Sequence, residues 1–503
     1  MKFEKQFSTS GYKVFVNLQV ASYAEYNDIL YFGFPLYFDL SKITLDNFEE
    51  EVLKIKGYFC AIYMSDGKFY IYNDIAAGFR LYYIEDKGAV HINDDYLALT
   101  SEFPKCKINL SEYKFWIRHG YTTGDGTFAE GVFKIKPASY LLIGDKVINK
   151  PYFPFLENIP DVKNHVQEVK NDLNDTFDLL EKRDHKVILF FSGGLDSMLL
   201  FQYLRKHEIP FVLVFLRLTP RYTQNEQDFE RAKRAAKAIK TDLQVVEVDL
   251  KEELDNITEI CSNMPLDRHF SILHFGGLRK LKNMFGNDWV IINGQSSDNV
   301  FSFGPSESTF GGMAKRALMY SQNQYLKRVL CALFNFKWKT PLRLPKGDQE
   351  FLLAFYNQLK YLILSDDSLD PGLMDYLSKK IECVSKEYSG NSLRTYLKLM
   401  GYLQGSDNQV VIQSATTNGF KSVLMPYATP RIILGTVKHK DDKKELIYPK
   451  YPISELLEIN KNLLKKPSID PDGNFMPLGE IVDIVDAHFN SMVEGFITSK
   501  NVD

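Results

Sequence analysis

Six consecutive residues, Ser192-Gly193-Gly194-Leu195-Asp196-Ser197, are of the types that hold the phosphates of a nucleotide. Two glycines let backbone amides come close to an anion, and two serines add hydroxyl donors. Asp196 repels phosphate by itself, but it suits a Mg2+ ion that takes carboxylate and phosphate oxygens together. The apolar run KVILFF (residues 186–191) precedes the six and MLLFQYL (198–204) follows. That setting predicts a strand–loop–helix junction, where loop amides and a helix N-terminus aim positive charge at an anion. The loop has no Walker A lysine, so the chain is no P-loop kinase or GTPase. A tight turn with a serine helix cap is the other reading of these residues.

The flanking segments must position this loop. Residues 161–183 carry apolar side chains at helical spacing, with Val162, Val166, Val169, Leu173, Phe177 and Leu180 on one side. After KVILFF, strands FVLVFLRL, LQVVEVDL and WVIING alternate with helices MLLFQYLRKH, NEQDFERAKRAAKAIK and GGLRKLKNMF. Continuous apolar strands between helices predict a doubly wound α/β parallel sheet. From 311 to 500 the pattern is mostly helical. Residues 1–153 instead predict strands, at YKVFVNLQV, ILYFGFPLYFDL, GYFCAIYM, KFYIYND, RLYYIED and ASYLLIG. Ser65-Asp66-Gly67 joins two of them as a hairpin signal. Three prolines in 151–160 (PYFPFLENIP) mark a linker. The expected organisation is therefore two domains, 1–153 and 160–503.

Length and composition set bounds. At roughly 100–200 residues per domain, a chain of 503 residues has two to four domains. Its 45% apolar and 25% charged residues are ordinary for a folded protein, and its formal net charge of −3 gives no general nucleic-acid or anionic-membrane surface. No stretch approaches the roughly 18 apolar residues of a membrane span, and no signal peptide is read at the N-terminus. Cys60, Cys106, Cys261, Cys331 and Cys383 make no CxxC pair, so neither a disulfide framework nor a zinc site is expected. A cytoplasmic location fits these features, no nucleic-acid or membrane partner is expected, and a homodimer is allowed.

With the loop and its context in place, the chain resembles the PP-loop ATP pyrophosphatases, and within them the asparagine synthetase family. GYFCAIY, YNDIAAGFRLYY and LTSEF, between Gly57 and Phe103, are similar to the second half of that family's N-terminal glutaminase domain. HGYTTGDGTFAEGVFKIKPASYLLI resembles the segment that closes it. Asn225 to Asp249 resembles the helix and strand after the second sheet strand, and IINGQSSDNVF resembles the second catalytic loop. The resemblance implies a glutaminase-like (Ntn-type) β-sandwich followed by a synthetase domain with a helical C-terminal part. ATP and Mg2+ are the implied cofactors. Ser192, Gly193, Gly194, Leu195, Asp196, Ser197, Leu216 and Gly294 are the implied nucleotide-binding residues, with Asp196 and Asp298 as metal ligands.

The chain also departs from that family. Glutamine-using members expose an N-terminal cysteine nucleophile, whereas residue 2 is Lys2 and Cys60 lies within an apolar strand. A nucleophilic thiol needs exposure and thiolate character, so the first domain is expected to be degenerate and unable to hydrolyse glutamine. The second loop keeps an aspartate as Asp298, but Gln295 stands where the family has glutamate, and Asn299 replaces a further acidic residue. Gln295 either orients the acceptor or only shapes the loop; it accepts no proton at neutral pH. The family's lysine opens a K-x-x-L pattern, which Lys443-Lys444-Glu445-Leu446 fits, making Lys443 the expected catalytic cation unless this charged run is a solvated loop. The β-lactam synthetases, carbapenam synthetase and lasso-peptide cyclases lose the same cysteine and alter the same glutamate. The implied reaction is ATP-dependent amide-bond formation through an acyl-adenylate, releasing AMP and pyrophosphate. It joins a small-molecule or peptide carboxylate to an amine or ammonia, giving a lactam, macrolactam or amide. Alternatives are amidation of an acidic sugar or amino acid with ammonia in surface polysaccharide biosynthesis, tRNA thiolation, which the missing CxxC pairs oppose, and a non-catalytic scaffold, which retention of Asp196 and Asp298 opposes.

Overall fold

The computed structural model describes residues 2–19, 23–75, 78–104, 106–119, 124–152, 164–256, 272–297, 300–301, 323–338, 342–344, 407–438, 450–459 and 461–465, with short pieces between and after them. Two β-sheets stand face to face in the N-terminal part. One has the order β1-β2-β8-β7-β9, from Lys2–Ser8, Lys13–Gln19, Ala89–Asn93, Tyr82–Asp86 and Val132–Lys134. The other is β11-β10-β6-β5-β4-β3, from Val147–Pro151, Ser139–Ile143, Lys68–Asn73, Phe59–Ser65, Ile29–Gly33 and Tyr23–Tyr26. Val14, Val16 and Leu18 alternate inward on β2, facing Phe32, Cys60, Ile62, Phe69 and Ile71 of the second sheet. Phe3 and Phe7 of the exposed edge strand β1 lean on Phe32 and Phe69, with ring centroids 4.8 and 4.9 Å apart. Helices cover the outer faces. Tyr96 and Leu99, in the helix Tyr96–Glu102, pack on Tyr82 and Ile84. Phe48 and Val52 pack on Tyr63 and Tyr72.

The predicted hairpin forms: Ser65 pairs with Lys68 across Asp66 and Gly67, both with positive φ. The strand expected over 29–40 stops at Gly33, whose φ of +88° precedes Pro35. Pro151, the first residue of the expected linker, closes β11, and residues 153–160 lie outside the described residues.

The second part is built on five parallel strands in the order β14-β13-β12-β15-β18. They are Leu243–Asp249, Phe211–Thr219, Val187–Phe190, Val290–Ile292 and Ser422–Leu424. Every side chain of β12 and β15 is buried, as expected of strands covered on both faces. Within the stretch expected to be mostly helical, β18 and the small ribbon β16–β17 (Leu342–Arg343 with Ile363–Leu364) add three short strands. Helix A (His165–Lys182) buries Val169, Leu173, Phe177 and Leu180, the face its spacing predicts. It packs with helix B (Leu195–Lys206), helix D (Pro430–Lys438) and helix E (Tyr451–Leu456). Helix C (Thr223–Ala238) lies on β13 and β14.

The chain steps from β12 to β13 to β14, then returns to place β15 on the other side of β12. Connections on the two sides of β12 therefore diverge at its C-terminal end, and the crevice left there is where open α/β sheets bind ligands.

The two parts share a packed boundary. Tyr82, Tyr96 and Trp116 of the first join Leu218, Val248 and Phe275 of the second in one apolar cluster. Lys56 crosses the boundary as a buried cation. Its Nζ donates to Asp172 Oδ1 at 2.8 Å, to the Asp172 carbonyl at 2.7 Å and to Thr176 Oγ1 at 2.8 Å. The other oxygen of Asp172 accepts from Thr429 Oγ1 at 2.5 Å. Burial lowers the Lys56 pKa, and Asp172 opposes that shift.

Candidate functional site

β12 delivers Ser192-Gly193-Gly194 to the crevice, and helix B starts at Leu195 with Gly194 as its N-cap. The loop is tightly enclosed, which accounts for its glycines. Gly193 has a φ of +64°, and a Cβ there would lie 2.9 Å from the Cα of Ala232 in helix C. A Cβ on Gly194 would meet the Arg231 guanidinium and Ser192 Oγ, each at 3.2 Å. Ser192 Oγ accepts from the Gly194 amide at 3.3 Å and lies 3.4 Å from Ser197 Oγ. The first-turn amides of helix B have no intrahelical partner, which makes this end an anion site.

β15 delivers the second loop, residues 293–297, beside the first. A Cβ on Gly294 would lie 3.0 Å from the Cβ of Asp196, so the two loops touch. Asn293 Oδ1 accepts from the Gln295 amide at 2.9 Å. Ser296 is held at a φ of +77°, an uncommon left-handed conformation for serine. The Oε1 of Gln295 is buried and has no hydrogen-bond partner among the described residues. Asp298 and Asn299 lie outside the described residues.

Lys450 bridges the two loops. Its Nζ is 2.6 Å from Asp196 Oδ2 and 3.1 Å from Ser297 Oγ, and its side chain is 12% exposed. Its backbone is left-handed, with a φ of 58°, as it caps helix E. Gln202 of helix B fixes that segment through its side-chain amide, donating to the Leu456 carbonyl at 3.1 Å and accepting from the Glu458 amide at 2.9 Å. Tyr427, fully buried after β18, donates to the Asp196 carbonyl at 2.9 Å and braces the first loop from behind.

Most residues read from the sequence come together here: Ser192 to Ser197, Gly294 and Gln295. Lys443 lies outside the described residues. Leu216 is buried inside β13; its side chain lines the space beside Gly277 and its carbonyl accepts from Asn225 Nδ2 at 3.1 Å. Nothing in the sequence reading singles out Lys450 or Arg231. Lys450-Tyr451-Pro452-Ile453 does share the K-x-x-apolar spacing of Lys443-Lys444-Glu445-Leu446, and a short helix follows it. A cavity of about 430 Å³ beside Phe15 and His91 is lined only by residues of the sandwich and contributes nothing to this site.

Two loops joined by a lysine at the reversal point of a parallel sheet meet the family comparison at this point. Residues 168–357 match the asparagine synthase family model. This segment holds both loops and helix C. The matched segment supports an ATP-using ligase in general terms. No curated protein matches the chain. Solved structures give faint likenesses. An NH3-dependent NAD synthetase from Campylobacter jejuni subsp. jejuni is 16% identical over 45% of this chain and 97% of its own, with a TM-score of 0.21. The U34-tRNA thiolase NcsA from Methanococcus maripaludis is 15% identical over 48% and 82%, with a TM-score of 0.21. A glutamine-dependent NAD+ synthetase from Acinetobacter baumannii, solved with ADP, is 14% identical over 67% and 78%, with a TM-score of 0.20. At these scores the strands and loops themselves carry the structural argument. No described helix is long and apolar enough to cross a membrane.

The sandwich offers no reactive thiol at Cys60. That residue is fully buried in β5, and burial pushes its thiol well above the usual range.

Proposed function

We propose that this protein forms an amide bond from a carboxylate and an amine or ammonia, using ATP and releasing AMP and pyrophosphate. The observation that carries this reading is Lys450 Nζ, held between Asp196 Oδ2 and Ser297 Oγ where the two loops meet. The asparagine synthase match over residues 168–357, which holds both loops though not Lys450, supports it.

The residues suit the triphosphate of ATP. Glycines at 193, 194 and 294 let the two loops and helix C pack closely enough to converge on one anion, the loop amides and the Ser192 and Ser197 hydroxyls would donate to phosphate oxygens, and the Asp196 carboxylate is a hard ligand. Asp196, with Asp298 from the second loop, would hold Mg2+, which supplies charge neutralisation across the phosphates.

A carboxylate oxygen of the substrate attacks the α-phosphorus and the bond to the bridging oxygen breaks, so pyrophosphate leaves. Charge builds on the α-phosphoryl oxygens, and the ammonium of Lys450 offsets it in a site largely closed to water. The amine nitrogen then attacks the acyl carbon and AMP leaves. Gln295 Oε1 is positioned as an acceptor for an amine N–H, and a base other than Gln295 takes the proton. Lys450 takes the role assigned from sequence to Lys443. The N-terminal sandwich is read as glutaminase-like without glutaminase activity, which the sealed Cys60 supports. The nitrogen then comes from an amine or from ammonia.

The test is product identity. Purified protein with MgATP and a panel of carboxylates, each paired with ammonia or an amine, is followed by phosphorus NMR. AMP with pyrophosphate is expected for the true pair; ADP with inorganic phosphate overturns the mechanism.

A further inference from the structure

The Arg231 guanidinium lies across the pyrophosphate loop, and three observations fix it there. Its Nε donates to the Ser192 carbonyl at 2.9 Å. Its Nη2 is 2.8 Å from Asp228 Oδ1, one turn back on helix C. It also occupies the space beside Gly194 where any side chain would have to go. The side chain is 12% exposed. Burial disfavours its charge, while Asp228 and Asp196 favour it.

An arginine has five N–H donors. The Ser192 carbonyl and Asp228 engage one edge, and among the described residues the rest of the guanidinium has no hydrogen-bond or ion-pair partner. A loop carbonyl and a single carboxylate do not need so large a cation at such a burial cost. A polyanion beside the loop does. Helix C thus contributes twice, since Ala232 packs on Gly193 while Arg231 flanks Gly194.

We propose that Arg231 is a ligand for the terminal, β- and γ-phosphate end of the nucleotide, and so for the pyrophosphate that leaves. This rests on the adenylating reading of the loop. Lys450, on the Asp196 side, serves the α-phosphate. Arg231, on the Gly194 side, serves the leaving group and selects a triphosphate over a monophosphate. Its planar fork grips two phosphate oxygens at once, which a lysine does not.

The test measures binding of MgATP, Mg-pyrophosphate and AMP by calorimetry to wild type, Arg231→Gln and Arg231→Lys, with melting curves for each. Arg231→Gln is expected to weaken ATP and pyrophosphate by roughly 10–100-fold, the scale of lost charge-assisted hydrogen bonds, and AMP by less than about twofold. Arg231→Lys keeps a charge and the packing, and should fall between, at roughly 3–10-fold. If Arg231→Gln melts early, the Arg231→Lys ratio of pyrophosphate to AMP affinity decides. Equal loss for all three ligands means a structural role and overturns the proposal. Unchanged affinities overturn it while leaving the loop's reading intact. Wild type that binds neither ATP nor pyrophosphate overturns both.

Discussion

Replacing Lys56 by methionine should destabilise the protein far more than loss of an ordinary surface ion pair. The Lys56 and Asp172 side chains are 8% and 3% exposed, and the ammonium has three oxygen acceptors within 2.8 Å. Methionine fills a similar volume but leaves the Asp172 carboxylate buried with Thr429 as its remaining side-chain donor among the described groups. An uncompensated buried charge of this kind costs about 3–5 kcal/mol, against about 0–1 kcal/mol for an exposed pair. Urea unfolding followed by circular dichroism measures it, scored on the first transition because a chain with several cores need not unfold in one step. Lys56→Met with Asp172→Leu should recover most of the loss, because neither partner is then left charged and buried. A single-variant loss below about 1 kcal/mol would show that water reaches the pair. A double variant as unstable as the sum of the two singles would assign the loss to packing instead.

Three further outcomes follow. Lys450→Met should slow pyrophosphate exchange into ATP by roughly 10²–10³-fold, the usual effect of removing one charge-stabilising group; an unchanged rate returns the role to a cation outside the described residues, such as Lys443. Gly193→Ala should abolish the rise in melting temperature caused by MgATP, because helix C backbone lies 2.9 Å from the new Cβ, whereas Gly88→Ala, at a φ of +78° with open space around it, should cost only about 1–2 kcal/mol and keep the ATP response. Burial pushes the Asp94 carboxyl up to about 7, above the ~3.9 of an unfolded aspartate. Its contribution to stability is therefore fully present below about pH 4 and is lost as pH rises to about 7. Asp94→Asn should match wild type at pH 4 and melt higher at pH 8, and an equal difference at both pH values would remove Asp94 as the cause.

The parallel sheet was legible because its strands are continuous apolar runs, such as KVILFF, separated by helices of regular spacing. The candidate phosphate loop, Ser192 to Ser197, was legible because its six residues are adjacent in sequence. Lys450 was not, because it meets Asp196 across 254 residues and the K-x-x-apolar spacing it shares with Lys443 does not tell the two lysines apart. Arg231 was hidden for a related reason: on a charged helix, a residue aimed at a loop looks like its solvated neighbours. β1, with the sequence KFEKQFS, escaped notice because an edge strand carries charges on its exposed face. No sequence pattern marks Lys56 as buried, because its partners Asp172 and Thr176 lie more than a hundred residues away.

The acyl-adenylate is tested most directly by following oxygen. The productive carboxylate, labelled with heavy oxygen, is given to the enzyme with MgATP and its amine, and the phosphorus products are analysed by mass. One labelled oxygen should appear in AMP and none in pyrophosphate, and Asp196→Asn should give no labelled AMP. Label in inorganic phosphate, or AMP formed without label, would contradict the account.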